Sequence, residues 1–195
     1  MRIVVKVGGA QLEQAGPRAE LARGIANAQA AGHEIVLVHG GGNQIRALCT
    51  QLGIVERQHE GLRVTDAATA DVVTMVLAGL VNKALVLALE DEGVRAAGVS
   101  GVDGNSFSVR KTEASVDLGY VGTVVRVERG LALTLLDTGY VPVVATVAAL
   151  AQGESGARDH LYNVNADTAA APLARALEAD ALVFLTDVPG VLDAE

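Results

Sequence analysis

Short runs of consecutive apolar residues alternate along the chain with segments of helical periodicity. Mostly apolar runs, which predict buried strands, lie at residues 3–7, 35–38, 94–101, 140–147 and 181–185. Segments with helical spacing lie between them, at residues 17–31, 43–52, 66–92, 130–139 and 167–177. Strands that are apolar throughout are buried on both faces, so this order predicts a parallel sheet covered by helices on its two sides.

One stretch departs from this order. Residues 107–127 alternate polar and apolar positions and contain two glycines, which predicts a β-hairpin excursion. Residues 151–160 are polar and are expected to form a loop. The predicted fold class is α/β, a three-layer αβα sandwich with a mainly parallel central sheet.

The amino-acid composition indicates which residues form the core and which binding partners are not expected. Half of the residues are apolar but only 3% are aromatic, so the core must be built from Val, Leu, Ile and Ala. The net charge of −8 argues against a nucleic-acid partner. The chain has no basic amphipathic helix and no run of 18 apolar residues, so we expect no membrane contact.

The single cysteine and the four histidines predict no metal site. Cys49 lies in an apolar helical pattern and is expected to be a core residue in a reducing cytosol. It cannot form an intramolecular disulfide. The other candidates, His33, His59 and His160, lack the spacing of metal ligands.

Glycine-rich turns follow the first two predicted strands. Gly8-Gly9 and Gly40 to Gly42 lie at the carboxyl ends of these strands, the edge at which open parallel sheets bind ligands. Glycines allow backbone N–H groups to approach an anion, and the next helix adds partial positive charge. The turns predict an anion site, with ordinary strand-to-helix turns as the alternative. Neither matches the phosphate-loop or dinucleotide fingerprint.

Two cationic residues are candidates for binding anions. Lys6 interrupts the first apolar strand beside a glycine turn, which favours a phosphate partner over a snorkelling or structurally paired lysine. Arg63, predicted in a loop between helices, could hold a carboxylate or be a solvated surface residue. Thr65 or Asp66 is the predicted N-cap of the next helix.

Polar side chains also precede the alanine-rich helix near the C-terminus. Asn163, Asn165 and Asp167 alternate in the segment NVNAD. They either place amides and a carboxylate opposite the glycine turns, or form a turn in which Asp167 caps the helix. His39, at the end of the second strand, is a candidate general base, although a hydrogen-bonded structural histidine is the preferred interpretation.

Together these segments give the chain a resemblance to the acetylglutamate kinases of the amino acid kinase superfamily. The matching segments, in order, include VVKVGGA, VLVHGGGNQI, GLRVTD, GVSGVDGN, GYVPVVATV, NVNADTAAAPLA and LVFLTDVPGVL. They span essentially all 195 residues. The combination of GLRVTD with NVNAD is far more specific than any single motif.

The resemblance implies phosphoryl transfer from MgATP to the side-chain carboxylate of N-acetyl-L-glutamate. The product would be N-acetyl-L-glutamyl 5-phosphate, in the second step of arginine biosynthesis. It also implies Mg²⁺ held mainly by the phosphates, a cytoplasmic location and a homodimer formed through the N-terminal domain. A carboxylate nucleophile is ionised near pH 7 and needs no general base, so the absence of an obvious catalytic His or Ser fits this chemistry.

The resemblance assigns roles residue by residue. Lys6 would stabilise the phosphoryl oxygens in the transition state and Asp167 would orient it. The implied substrate-binding residues are Gly41, Gly42, Arg63 and Asn163. The implied nucleotide- and phosphate-binding residues are Gly8, Gly9, Thr186 and Asp187. No metal-ligating residue is implied.

The family continues for several tens of residues beyond the segment TDVPGVLD, with a second phosphate-binding lysine. We therefore expect residues 1–160 to form an amino-acid-substrate and dimerisation domain. Residues 161–195 would begin an ATP-binding domain whose nucleotide-binding part is incomplete. We expect weak or no activity, and self-association through the uncovered last strand. Arginine feedback through an extra N-terminal helix is not expected.

Three alternatives remain at this point. The first is a related kinase for carrier-protein-linked aminoadipate. The second is an inactive acetylglutamate-binding or dimerising protein without the ATP lobe. The third and weakest is a nicotinamide-dependent dehydrogenase, whose fingerprint is missing.

Overall fold

The apolar runs predicted as buried strands are neighbours in one sheet. The computed structural model describes residues 1–8 and 10–186 of the 195-residue chain. Two predicted site residues, Gly9 and Asp187, lie outside the described residues.

The described elements agree closely with the predicted order. The strands are β1 (Arg2–Val7), β2 (Glu34–His39), β3 (Arg57–His59), β4 (Leu62–Val64), β5 (Ala96–Ser100), β6 (Phe107–Lys111), β7 (Gly122–Val127), β8 (Val141–Ala145), β9 (Val147–Leu150), β10 (Tyr162–Asn163) and β11 (Ala181–Leu185). The α-helices are α1 (Ala10–Glu13), α2 (Ala15–Ala30), α3 (Gly42–Gln51), α4 (Ala67–Thr74), α5 (Asn82–Asp91), α6 (Gly130–Asp137) and α7 (Ala166–Ala176). A π-helical segment (Met75–Val81) joins α4 to α5, and a 3₁₀ turn covers Asp103–Asn105.

The central sheet has five parallel strands in the order β11-β1-β2-β8-β5. In this sheet Val5 of β1 lies beside Leu37 of β2 on one side and Val183 of β11 on the other. Successive residues of a strand point to opposite faces, which explains why both kinds of position are apolar. Val5 and Leu37 enter one core cluster, while Val4 and Val36 enter the other.

Helices cover both faces of this sheet. One face packs against α2, α3 and the continuous helix formed by α4, the π segment and α5. The other face packs against α6, α7 and a second sheet of order β10-β9-β6-β7. The predicted hairpin of residues 107–127 is the antiparallel pair β6 and β7 in this second sheet. The α/β sandwich predicted from the sequence is therefore confirmed.

The continuous helix Ala67–Asp91 is long and apolar enough to cross a membrane, although the sequence predicted no membrane contact. Its length and its mean hydropathy of 2.2 would suit a membrane span, yet 44% of its most apolar part is buried inside the protein. The buried side chains include Val76, Leu77 and Leu85, which belong to the core beside the central sheet. Packing in that core accounts for these buried side chains, while Met75, Leu80 and Leu87 of the same helix are exposed.

One local prediction about a site residue was wrong, and one of the two alternatives for Asp167 does not hold. Arg63 lies on β4 of a short antiparallel hairpin, not in a loop, because Glu60 and Gly61 take positive φ angles of 48° and 78° and turn the chain back on itself. Asp167 does not cap α7. Asn165 does, by accepting hydrogen bonds from the backbone N–H groups of Asp167 (2.9 Å) and Thr168 (3.2 Å).

Candidate functional site

A pocket of about 420 Å³ opens beyond the carboxyl ends of β1 and β2. This is the edge at which open parallel sheets bind their ligands. The predicted site residues that line the pocket are Lys6, Gly8, Gly41, Gly42, Arg63, Asn163 and Asp167. Thr186, which follows β11, does not contribute to the lining. The structure thus brings together residues that lie up to 161 positions apart along the chain, from Lys6 to Asp167.

Lys6 and Asp167 form an ion pair at one end of the pocket. Lys6 Nζ lies 2.9 Å from Asp167 Oδ1, and only 13% of the lysine side chain is exposed. A Cβ added at Gly8 would lie 2.9 Å from Lys6 Nζ, so the glycine leaves the space that the ammonium group fills. The charge of the lysine inside an apolar strand is therefore matched by a carboxylate from α7.

The turn Gly40 to Gly42 connects β2 to α3 along the pocket. Gly41 packs so tightly against the π segment that an added Cβ would lie 2.9 Å from Leu77 Cδ2 and 3.1 Å from Val81 Cγ2. Gly41 is the N-cap residue of α3 and offers no side chain to the first turn of that helix. The unpaired N–H groups of a helix N-terminus are suited to binding an anion.

Arg63 is held in the pocket wall by two contacts. Its Nη2 group donates a hydrogen bond of 3.0 Å to the carbonyl of Gly42, and its Nη1 group forms an ion pair with Glu56. Only 8% of the arginine side chain is exposed. Burial lowers the pKa of Arg63 from its usual value, the expected cost of removing a guanidinium from water.

Glu56 was not found by sequence reasoning. Its second oxygen accepts a hydrogen bond of 3.2 Å from Arg46 Nε, so one carboxylate holds two arginines beside the pocket. Glu56 precedes β3 and carries no motif of its own, and its role depends on the way the hairpin folds back onto α3. No feature of the sequence alone indicated this contact.

Asn163 and Gln44 add amide groups to the pocket wall. The Nδ2 group of Asn163 approaches Thr65 Oγ1 at 3.5 Å, and its backbone N–H donates to the carbonyl of Tyr120 at 2.9 Å. Gln44 Nε2 is buried and has no hydrogen-bond partner among the described residues. Such a donor in a pocket wall is suited to an acceptor atom on a ligand. Sequence reasoning missed Gln44, although it lies inside the segment HGGGNQI.

The described residues contain no cluster of three or more His, Cys, Asp or Glu side chains that could hold a metal ion. The cationic side chains of the pocket wall are suited to anions, and they outnumber its two carboxylates, Glu13 and Asp167. Lys6, Arg46 and Arg63 bring positive charge to it, and the glycine turn and two helix N-termini bring backbone N–H groups.

Comparison with known proteins gives one consistent result. The amino acid kinase family matches residues 1–195. The chain is 50% identical to an acetylglutamate kinase of Methanopyrus kandleri, over 97% of this chain and 73% of the relative. It is 46% identical to an acetylglutamate kinase of Acidobacterium capsulatum, over 100% of this chain and 73% of the relative. A chloroplastic acetylglutamate kinase of Arabidopsis thaliana is 43% identical, and the chain spans 53% of its length.

Solved structures show the same fold. A crystal structure from Streptococcus mutans superposes with a TM-score of 0.86 at 30% identity, over 98% of this chain and 75% of that one. An N-acetylglutamate synthase of Neisseria gonorrhoeae, solved with coenzyme A and N-acetyl-glutamate, gives a TM-score of 0.79 at 25% identity. That match covers 97% of this chain and 42% of the synthase.

Proposed function

We propose that this chain, which belongs to the amino acid kinase family, catalyses the transfer of the γ-phosphoryl group of ATP to the side-chain carboxylate of N-acetyl-L-glutamate. The carboxylate oxygen forms the new bond to phosphorus, the bond to the leaving oxygen of ADP breaks, and N-acetyl-L-glutamyl 5-phosphate results. The acetylglutamate kinase relatives at 50% and 46% identity support this reaction, and with it a place in arginine biosynthesis.

The observation that carries the proposal is a single pocket with Lys6 and Asp167 as an ion pair and Arg63 in its wall. A carboxylate nucleophile is ionised near pH 7, so the site needs no general base. It must instead hold two anionic substrates together and offset the negative charge of the phosphoryl group in the transition state of the transfer. Cationic side chains and backbone N–H groups around one cavity provide what that task requires.

We assign the positive groups of the pocket to different parts of the two substrates. Arg63 binds the α-carboxylate of acetylglutamate, and Gly41, Gly42 and Asn163 bind the rest of that molecule. Lys6 stabilises the phosphoryl oxygens in the transition state, and Asp167 holds the ammonium in place for them. Gly8 contributes to the phosphate side. Gly9, Thr186 and Asp187 stay predictions for the nucleotide side.

Mg²⁺ is part of the proposal because ATP reacts as its magnesium complex. We assign the ion mainly to the nucleotide phosphates, because kinases bind Mg²⁺ through the substrate phosphates together with only one or two carboxylates. Lys6 and Asp167 act on the phosphoryl group in this account through charge and position alone.

The division of the chain at residue 160 is also proposed. Residues 1–160 would bind the amino acid, and residues 161–195 would begin the nucleotide side. The pocket wall draws on both parts, with Arg63 from the first and Asp167 from the second. A site at such a boundary favours phosphoryl transfer, because each part of the chain can hold one of the two substrates.

We further propose a cytosolic homodimer. Leu80 and Leu87 lie seven residues apart on the continuous helix and are 64% and 60% exposed, whereas Val76, Leu77 and Leu85 of the same helix pack into the core. Exposed leucines on one helix face are suited to an apolar contact with a second copy. Sedimentation velocity with the Leu80→Glu variant as control tests this part of the proposal.

A binding protein without kinase activity is the second candidate. The observation in its favour is the likeness to an N-acetylglutamate synthase solved with N-acetyl-glutamate, because that complex contains the proposed substrate in a protein of this fold that is not named a kinase. Coupled ADP release with N-acetyl-L-glutamate separates the two functions. Calorimetry that detects acetylglutamate binding without any ADP release would favour the second candidate and contradict the first.

A further inference from the structure

His39 is a fully buried polar residue directly before the glycine turn, and the proposed chemistry does not use it. It ends β2 with none of its surface exposed. Its Nδ1 atom lies 2.9 Å from the carbonyl oxygen of Gly40, and its Nε2 atom lies 3.1 Å from Asn82 Nδ2. Asn82, the first residue of α5, is itself 1% exposed.

The orientation of the Asn82 amide follows from its other two partners. Its Oδ1 atom lies 3.0 Å from Lys83 Nζ, a group that can only donate. Its Nδ2 atom lies 2.8 Å from the carbonyl oxygen of Val143, a group that can only accept. Nδ2 is therefore the nitrogen, and it presents a donor to His39.

The tautomer of His39 follows in turn. Because Asn82 presents a donor, Nε2 of His39 must accept and carries no hydrogen. Because the Gly40 oxygen can only accept, Nδ1 must carry the hydrogen and donate it. The imidazole is therefore neutral, and a second proton on Nε2 would face the N–H of Asn82. Burial, the main cause, lowers the pKa of His39 to about 4, in agreement with this geometry.

The hydrogen bond to Gly40 fixes one peptide unit of the turn. A trans peptide places its C=O and the following N–H on opposite sides, and the described residues contain no cis peptide bond. With the Gly40 carbonyl held by His39, the N–H of Gly41 must point away from the imidazole. The other two carbonyls of the turn are also engaged, Gly41 by Ile45 N–H at 3.0 Å and Gly42 by Arg63 at 3.0 Å.

We propose that neutral His39, oriented by Asn82, is a positioning residue that sets the peptide orientation of the glycine turn at the acetylglutamate side of the pocket. The inference rests on the proposed function for the identity of the ligand. Substrate binding then depends partly on the core, because Asn82, the first residue after the π segment, is connected to the glycine turn through its contact with His39. His39 itself lies outside the pocket lining.

Two substitutions test this role, because each keeps the hydrogen bond of only one of the two imidazole nitrogens. In His39→Asn the amide nitrogen can stand near Nδ1 and donate to Gly40. In His39→Gln the longer side chain reaches Asn82 and leaves the Gly40 carbonyl without its donor. We expect His39→Gln to raise the KM for N-acetyl-L-glutamate about ten-fold or more, with the KM for ATP unchanged, and His39→Asn to restore most of that loss.

Controls separate this effect from simple destabilisation. Leu89→Ala removes core volume from α5 away from the turn and should lower Tm without raising the KM for acetylglutamate. Equal KM values in His39→Gln and His39→Asn would overturn the proposal, as would a similar rise in Leu89→Ala.

A measurement without substrate keeps the inference distinct from the proposed function. We expect ¹⁵N NMR of the wild-type protein to show His39 as the Nδ1–H tautomer between pH 5 and pH 8, values that lie above its lowered pKa. The amide signals of Gly40 to Gly42 should move in His39→Gln and return in His39→Asn. A wild-type Nε2–H tautomer would overturn the positioning role whatever the activity. If the NMR results are as expected but acetylglutamate is not phosphorylated, the proposed function fails and the positioning role stands.

Discussion

Lys6 Nζ lies 2.9 Å from Asp167 Oδ1, which joins the first strand of the sheet to the first turn of the last described helix. The pair explains how an ammonium group is accommodated inside an apolar strand. It also leaves the lysine at the pocket wall, where the proposed chemistry needs it. The carboxylate is 56% exposed, so its main contribution is to the position of Lys6 and not to the stability of the fold.

We therefore expect Asp167→Asn to lower kcat more than it lowers stability. Loss of the carboxylate frees the lysine to move, which should reduce kcat about 10- to 100-fold. The free energy of unfolding should change by less than about 1 kcal/mol, because the carboxylate is 56% exposed and water in the open pocket can replace it beside Lys6. Asp137→Asn, which removes the same charge from an exposed site on α6, is the matched control for steady-state kinetics. An unchanged kcat in Asp167→Asn would contradict the role of Asp167.

Arg63 should control the affinity for acetylglutamate. Arg63→Lys keeps the positive charge but loses the forked geometry that binds a carboxylate through two hydrogen bonds and also reaches Gly42. We expect the KM for acetylglutamate to rise about 10- to 100-fold with a smaller change in kcat. Arg57→Lys on the facing strand β3, where the side chain is exposed, is the control and should have no effect. Similar kinetics in the two variants would show that the guanidinium at position 63 is not the clamp.

Gly41 should not tolerate a side chain. A Cβ there would lie 2.9 Å from Leu77 and 3.1 Å from Val81, which are both buried. Gly41→Ala should cost about 1–3 kcal/mol of stability through overpacking, and it should weaken acetylglutamate binding as the turn shifts. Gly24→Ala in the middle of α2 has no atom within 4 Å and should instead stabilise by about 0.5–1 kcal/mol. Thermal unfolding and calorimetry measure both effects, and a Gly41→Ala protein as stable as the wild type would contradict the packing argument.

Burial of neutral His39 should make stability depend on pH. Its pKa is lowered from 6.5 to about 4, chiefly by desolvation, so between these values the unfolded chain binds a proton that the folded chain does not. The stabilising contribution is complete above pH 6.5 and is lost as the pH falls toward 4, with a total of up to about 3 kcal/mol. Chemical denaturation of the wild type and His39→Asn from pH 4 to pH 7 isolates this effect. Parallel curves for the two proteins would contradict it.

Much of the fold followed from the sequence because the buried strands of a parallel sheet have an unmistakable pattern. The sequences of β1, β2, β5, β8 and β11 are mostly apolar at both kinds of position, which is typical of strands in a parallel sheet. The burial predicted for residues 181–185 was wrong, because β11 lies at the edge of the described sheet and leaves Val183 40% and Phe184 46% exposed. The π segment was not predicted, because its apolar spacing differs little from that of the α-helix around it.

The site residues that lie in short sequence motifs were predicted, whereas those that depend on contacts between separate elements were missed. Lys6 and the glycine turns stand at strand ends, which topology brings together in any open parallel sheet. The partner of Arg63 is Glu56, and the partner of His39 is Asn82, 43 positions away. Neither partner could be found from sequence spacing, since each depends on how two elements pack. The same limit explains why the sequence left two alternatives open for Asp167, whereas in the structure Asn165 caps α7 and Asp167 pairs with Lys6.

The central claim is that this pocket makes an acyl phosphate on acetylglutamate, and trapping that product with hydroxylamine tests it most directly. The account predicts that hydroxamate forms only when ATP, Mg²⁺ and N-acetyl-L-glutamate are all present. It also predicts a rate at least about 100-fold lower in Lys6→Gln, since the variant lacks the positive charge that we propose to face the phosphoryl group. Hydroxamate formed equally well by Lys6→Gln, or ADP release by the wild type that does not depend on acetylglutamate, would contradict the account.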